Sequence, residues 1–149
     1  DFTNLMYASA AVDSSDNIYT TGIFRGTVDF DPGAGTTSLT AEATYGGAFI
    51  LKLSSSGIIG FAKSFDGTNQ DQGMAIDVDG TGNVVVVGNY QLTVDFDPGA
   101  GTANLTSPLS KSIFVVKLDN SGNYIWAKSI GNSGYEIPYD LKINSNNEI

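Results

Sequence analysis

The ten letters TVDFDPGAGT occur twice, at Thr27–Thr36 and again at Thr93–Thr102. The flanks repeat with them. VDSSDNIYTTG (Val12–Gly22) falls on VDGTGNVVVVG (Val78–Gly88) at the same offset of 66, and FILKLSSSGIIGFAKSF (Phe49–Phe65) falls on FVVKLDNSGNYIWAKSI (Phe114–Ile130) at an offset of 65. LKINSNNEI (Leu141–Ile149) falls on IDVDGTGNV (Ile76–Val84) and opens a third copy. The repeats divide as 8–72, 73–137 and 138–149. A fixed period of this size marks an array in which each unit buries its faces against its neighbours. A self-contained domain rarely stops inside a repeat, so the expectation is one piece of a longer array.

Each repeat parses as four strands. The first is Ala8–Val12, with copies at Met74–Val78 and Tyr139–Ile143, where apolar residues alternate onto one face. The second is Ile18–Phe24 and Val84–Tyr90; the run VVVV is apolar on both faces, as in a strand covered on both sides. The third is Ala48–Leu53 and Ile113–Leu118, and the fourth is Ile59–Ser64 and Tyr124–Ser129. No stretch keeps a 3.6-residue apolar period over several turns. Four antiparallel strands at a fixed period predict an all-β fold of β-propeller blades, about two full blades plus the start of a third. A stacked solenoid is the alternative, but three hairpin turns per unit suit a blade better.

Composition narrows the function. Seven Lys and Arg against 16 Asp and Glu give a net charge of −9. The few cations form no cluster, so phosphate backbones and anionic membrane surfaces are poor partners, and nucleic acid is excluded. There are no cysteines and no histidines, which removes disulfides, Cys/His zinc sites and His-based nucleophilic catalysis. No apolar run approaches the length of a membrane span, so no membrane insertion is expected.

VDSSDNIYTTGIF and VDGTGNVVVVGNY, followed by FILKLSSSG and FVVKLDNSGNYIWAKSIG, resemble the bacterial SBBP-type β-propeller repeat family. The version with VDFDPGAGT between the second and third strands resembles repeats of large secreted and surface proteins. The resemblance covers nearly the whole chain. It implies a secreted or cell-surface multi-blade protein and no particular enzymatic activity. LDNSGNYIWAK also resembles the tryptophan-docking motif of quinoprotein-type propellers, with Asp119, Gly122 and Trp126 at matching spacing, although Ser54 and Phe61 replace the Asp and Trp in the first copy. In that family the Trp packs between blades.

The candidate site residues are Asp29, Asp31, Asp95 and Asp97. Alternation places Val28 and Phe30 on one side and Asp29 and Asp31 on the other. Two carboxylates so placed, with carbonyls from the glycine turn, are a possible Ca²⁺ site. The competing reading is structural: Asp31-Pro32-Gly33-Ala34 suits a type II turn with positive φ at Gly33, capped by the aspartates. DSSDN, DGTGN and DNSGN alternate oxygen-bearing side chains, a calcium-loop cue and equally ordinary hairpin chemistry. Lys52/Lys117 and Lys63/Lys128 recur in register, as expected of a solvated strand edge. Trp126 and Tyr124 offer rings for a sugar, against an inter-blade packing role for Trp126. Asn104–Thr106 matches a glycosylation sequon.

These residues predict a non-catalytic binding or scaffold module with no catalytic residues. Its partners are the remaining blades of the parent chain or other copies, and protein or glycan ligands. A calcium- or glycan-binding, lectin-like propeller is the alternative. Part of a propeller glycosidase is weaker, because a glycosidase places two different carboxylates across its substrate and here the acidic pairs are identical in both copies.

Overall fold

The computed structural model describes residues 5–42, 44–131 and 134–149. They form ten strands: β1 (Leu5–Val12), β2 (Ile18–Phe24), β3 (Gly26–Asp29), β4 (Ser38–Ala41), β5 (Gly47–Leu53), β6 (Ile59–Phe65), β7 (Gln72–Val78), β8 (Val84–Asp95), β9 (Asn104–Leu118) and β10 (Tyr124–Ile130). Two four-stranded antiparallel sheets, β1-β2-β5-β6 and β7-β8-β9-β10, are the two blades, and β3-β4 form a separate two-stranded ribbon. The chain is thus all-β and propeller-like. The second blade has the same ribbon, continuous with its long strands: β8 and β9 pass a bulge at Gln91/Thr93 and pair again from Thr93↔Thr106 to Asp95↔Asn104.

Strand β2 falls where the sequence places it, whereas β8 runs past the expected Tyr90 to Asp95 and β9 begins at Asn104 rather than Ile113, because the ribbon continues both strands. Tyr139–Ile143 does not form the expected strand. Its Ile143 amide donates instead to the Asp77 carboxylate, which also pairs with Lys142.

Local chemistry sets the hairpin ends. Asp13–Asn17, Ser54–Ile58, Asp79–Asn83, Asp119–Asn123 and Asn144–Glu148 make the same turn five times: the first residue's N–H donates to the fifth residue's carbonyl, and the fourth residue's N–H donates to the first residue's carbonyl. The fourth position has positive φ each time, at Asp16, Gly57, Gly82, Gly122 and Asn147, residue types for which the left-handed region is accessible. Asp13, Asp79, Asp119 and Asn144 each accept amide hydrogen bonds from the third and fifth residues of their turn. The leading aspartate of each calcium-like alternation spends its Oδ1 on its own backbone and its Oδ2 on the turn's Asn side chain.

The core lies between the blades. One face of blade 1 (Tyr19, Ala48, Ile50, Phe61, Phe65) packs on one face of blade 2 (Val84, Val86, Tyr90, Phe114, Val116, Leu118). Val84, Val85 and Val86 are fully buried, as the two-sided run requires. Burying each large apolar side chain here is worth roughly 1.5–3 kcal/mol. The opposite face of blade 1, with Phe24, Phe49 and Leu51, closes around Phe30 and Ala41 of its own ribbon region.

Candidate functional site

The repeated DFDPG segment is the tip of each ribbon. Alternation works as expected: Phe30 and Phe96 are buried while Asp29 is exposed. Phe30 packs on Phe24 and Phe49, with ring centroids 5.3 and 5.0 Å away. Phe96 packs on Phe65, Tyr90 and Phe114 at 5.4, 5.5 and 4.8 Å. The aromatic ring is the anchor that folds the ribbon back over the blade.

The aspartates hold the tip closed. Asp29 Oδ1 accepts from the amides of Asp31 (3.0 Å) and Thr37 (2.8 Å), and Asp31 Oδ1 accepts from the Gly33 amide (2.7 Å). Asp95 Oδ1 accepts from Asp97 (3.0 Å) and Ala103 (2.7 Å), and Asp97 Oδ1 from Gly99 (2.8 Å). Thr37 and Asp31 amides favour the ionised form and hold Asp29 below the usual carboxylate range. Gly33 does not adopt positive φ, so the segment is not a type II turn. The Asp31–Gly33 and Asp29–Asp31 side-chain bonds build the bend instead. Gly35 and Gly101 are needed for space: a Cβ at either would run into Asp31 Oδ2 or Asp97 Oδ2.

Asp29 is brought together with Asp31, and Asp95 with Asp97, each pair within one ribbon and the two pairs on different blades. Asp29 and Asp31 line a hollow of about 160 Å³ floored by Leu5, Leu51 and Leu53. Among the described residues no three His, Cys, Asp or Glu side chains are gathered as a metal site. An ion at either tip would rely on two carboxylates and on carbonyl oxygens.

The hairpin turns of the two blades converge where the blades meet. Asp13, Ser15, Asn17 and Lys52 of blade 1 face Thr81, Gly82 and Asn120 of blade 2 across a polar notch of about 240 Å³. The lysines here are not a solvated edge. Lys52 and Lys117 sit on β5 and β9, which are flanked by strands on both sides. Lys117 pairs with Asp79 at 2.7 Å, with side chains 15% and 2% exposed. Burial opposes ionisation of Asp79, but bonds from Lys117, Thr81 and Asn83 outweigh it and hold the carboxyl well below the ordinary range. In blade 1 the corresponding Asp13 takes the Tyr19 hydroxyl (3.2 Å), and Lys52 lies over the Tyr19 ring and donates to the Asn120 carbonyl of blade 2 (2.9 Å). Val85 stands where blade 1 has Tyr19, which explains the difference. Lys63 and Lys128 do lie on the outer strands β6 and β10.

Phe61 is buried in the seam, the inter-blade role expected of the aromatic at this position. Its register copy Trp126 is half-buried on the outer strand β10. The Tyr124 hydroxyl accepts from the Ala127 amide of its own strand (3.0 Å). Asn104 begins β9, exposed and paired in register with Asp95.

Sequence reasoning missed Asp71, which is fully buried between the blades. Its carboxylate accepts from the Gly67 amide of the connecting loop (2.7 Å) and the Gln91 amide of blade 2 (3.1 Å). Burial dominates and pushes its pKa up to about 7, helped by the charge of Asp66 and opposed by the two amides and Lys111. The available signal was the acidic residue at the same repeat position, Glu136, 65 residues on. Asp77 was also missed: it accepts from the Ile143 amide (2.8 Å) and pairs with Lys142 (2.9 Å), fixing the opening of the third repeat to blade 2.

No family model matches the chain. An uncharacterized WD repeat-containing protein of Acanthamoeba polyphaga mimivirus is 24% identical to it over 111 residues, covering 65% of this chain and 8% of that protein. The chain therefore spans less than a tenth of that relative's length. WD repeats build four-stranded propeller blades, in agreement with the sheets described above.

Proposed function

We propose that the chain is a section of a secreted or cell-surface β-propeller of the SBBP-like kind, serving as a non-catalytic binding or scaffold module. The observation that supports this most is the fate of the repeated aspartates. In both copies the same carboxylates make the same bonds to the same backbone amides, so the residues that recur are those that build a blade. WD repeat resemblance supports a propeller that presents its surface to partners. Chromogenic glycoside, ester and phosphate substrates test the non-catalytic part: turnover that disappears on changing Asp29 and Asp31 to Asn overturns it.

Calcium binding is a second reading, favoured by one observation: Asp29 and Asp31 border the same hollow. Each has an oxygen, Oδ2, beyond the one bound to the loop amides. Calorimetric titration of the chain with Ca²⁺ tests this reading, which predicts heat and a raised melting temperature, both lost in Asp31→Asn. Glycan binding, the lectin-like alternative, is tested on an array, with Trp126→Ala expected to remove any signal that depends on stacking.

A further inference from the structure

Lys52 and Lys117 hold the same repeat position, but only Lys117 has a carboxylate. It pairs at 2.7 Å with Asp79, the aspartate that opens the turn of its own blade. Asp13 is the copy of Asp79 in blade 1, yet among the described residues Lys52 makes no ion pair. Tyr19 is the cause. Its hydroxyl donates to Asp13 Oδ2 (3.2 Å), and the Lys52 amine lies over its ring, 5.2 Å from the centroid. The turn takes the remaining capacity of Asp13: the Ser15 and Asn17 amides donate to Oδ1, and the Asn17 side chain donates to Oδ2.

The ammonium of Lys52 is therefore underused. An ammonium has three N–H groups, and one of these donates to the Asn120 carbonyl (2.9 Å). That bond fixes the amine at the seam but leaves its charge uncompensated. Lys52 lines the polar notch of about 240 Å³ between the turns, where Asp13 is the one carboxylate among the lining residues. Ser14, Ser15 and Asn120 line it too. Asn120 Oδ1 accepts from Ser121, whereas Asn120 Nδ2 and the Ser14 and Ser15 hydroxyls have no partner among the described residues. At about 30 Å³ per water, the notch has room for roughly eight waters or one monosaccharide. Both of its walls belong to this chain, because it lies on the seam between the two blades.

We infer that the notch binds a sugar acid, with the carboxylate on Lys52 and the hydroxyls on Ser14, Ser15 and Asn120. Lys117 shows what a lysine at this position takes when a carboxylate is within reach. In blade 1 the chain's own carboxylate is withheld by Tyr19, and the ligand supplies one. A bare carboxylate would leave the neutral donors around Lys52 unused, whereas a hydroxylated one engages them. The net charge of −9 opposes any anion at long range, but salt screens that field beyond about 8–10 Å, and the contact with the ammonium is direct. The inference rests on the reading of the chain as a non-catalytic binding module, and it needs no stacking on Trp126.

Calorimetric titration of the full chain with glucuronate, glucose and acetate tests the inference, with circular dichroism confirming that each variant folds. Glucuronate should bind, and glucose and acetate should each bind about tenfold or more weakly by comparison. Lys52→Met should cost about tenfold or more in glucuronate affinity. Tyr19→Phe keeps the ring but releases Asp13 Oδ2 to compete for Lys52, and should weaken binding severalfold. Trp126→Ala should leave binding unchanged. Methyl glucuronide separates two sources of the same chemistry: binding equal to that of glucuronate assigns the end of a glycan, and loss of binding assigns the free acid. No heat with glucuronate, equal binding of glucose or acetate, or binding that survives Lys52→Met or is lost in Trp126→Ala would each overturn the inference and leave the binding-module reading standing. Glucuronate recovered chemically altered would overturn the non-catalytic reading, and the inference with it.

Discussion

Phe65 of the first blade packs against Phe96 in the ribbon of the second, ring centroids 5.4 Å apart and both rings buried. The ribbon is thereby part of the seam. Among the described residues, Phe30, the same residue in the first copy, packs on rings of its own blade alone. Phe96→Ala should cost about 3–5 kcal/mol, the usual range for removing a buried Phe, because it opens a cavity between blades. Phe30→Ala should cost less, since its side of blade 1 is free to collapse. Urea unfolding of the two variants measures the difference; equal losses would show that the seam adds nothing to the ring's worth.

Asp95 separates geometry from charge. Its Oδ1 alone accepts both amide bonds, from Asp97 and Ala103. Asp95→Asn keeps that oxygen and should leave stability nearly unchanged, whereas Asp95→Ala strands two amides and should cost about 1–2 kcal/mol. Thermal unfolding of both variants, with and without Ca²⁺, gives the comparison. If Asn is as damaging as Ala in the absence of calcium, the negative charge itself matters and the turn-capping account fails.

The repeat was the most legible part of the sequence, and the reason is physical. Strand alternation, the Asp/Asn/Gly turns and the two-sided valine run each encode a local requirement, and each recurs in register. What was not legible depends on which neighbour a residue meets. Lys52 and Lys117 are the same letter at the same repeat position, yet one binds a carbonyl of the next blade and the other a buried Asp79, because Tyr19 and Val85 differ beside them. Asp71 looks like any loop carboxylate until the fold closes around it. Gly33 was assigned a positive φ from its Pro-Gly context, but the Asp31 side chain supplies the bend by another route. The carboxylate pairs and their role as caps of their own turns could be read from the sequence; how the Asp31 and Asp97 side chains replace the expected type II turn could not.

The two lysines make a direct comparison. Lys117→Met leaves Asp79 buried with its charged partner gone, and should cost about 1.5–3 kcal/mol, the range for a charge-assisted bond. Lys52→Met removes an amine bonded to an exposed carbonyl and should cost under about 1 kcal/mol. Denaturant midpoints at low and high salt give both values, and the Lys117 loss should be the less sensitive to salt. A larger loss at Lys52 would contradict the burial difference.

Asp71 gives the chain an unusual dependence on pH. Its folded pKa of about 7 lies above the unfolded 3.8, so the folded state holds the proton more tightly. The group therefore favours folding fully below about pH 4, and that advantage is lost as pH rises through 7. Asp66, raised chiefly by burial, acts in the same direction. Asp79 and Asp119 are lowered and act oppositely: their stabilisation is present above about pH 4 and disappears as pH falls through their folded values. Together these place maximum stability near pH 4–5, with a decline toward pH 7.5. Asp71→Asn should flatten that decline. Its absolute stability is a poorer guide, because the amide can accept only one of the two backbone bonds and places its NH₂ toward the other donor. Melting temperatures from pH 4 to 8 for both proteins test this, and an unaltered chain whose stability rises steadily to pH 7 would show that Asp71 is ionised at no cost in the fold.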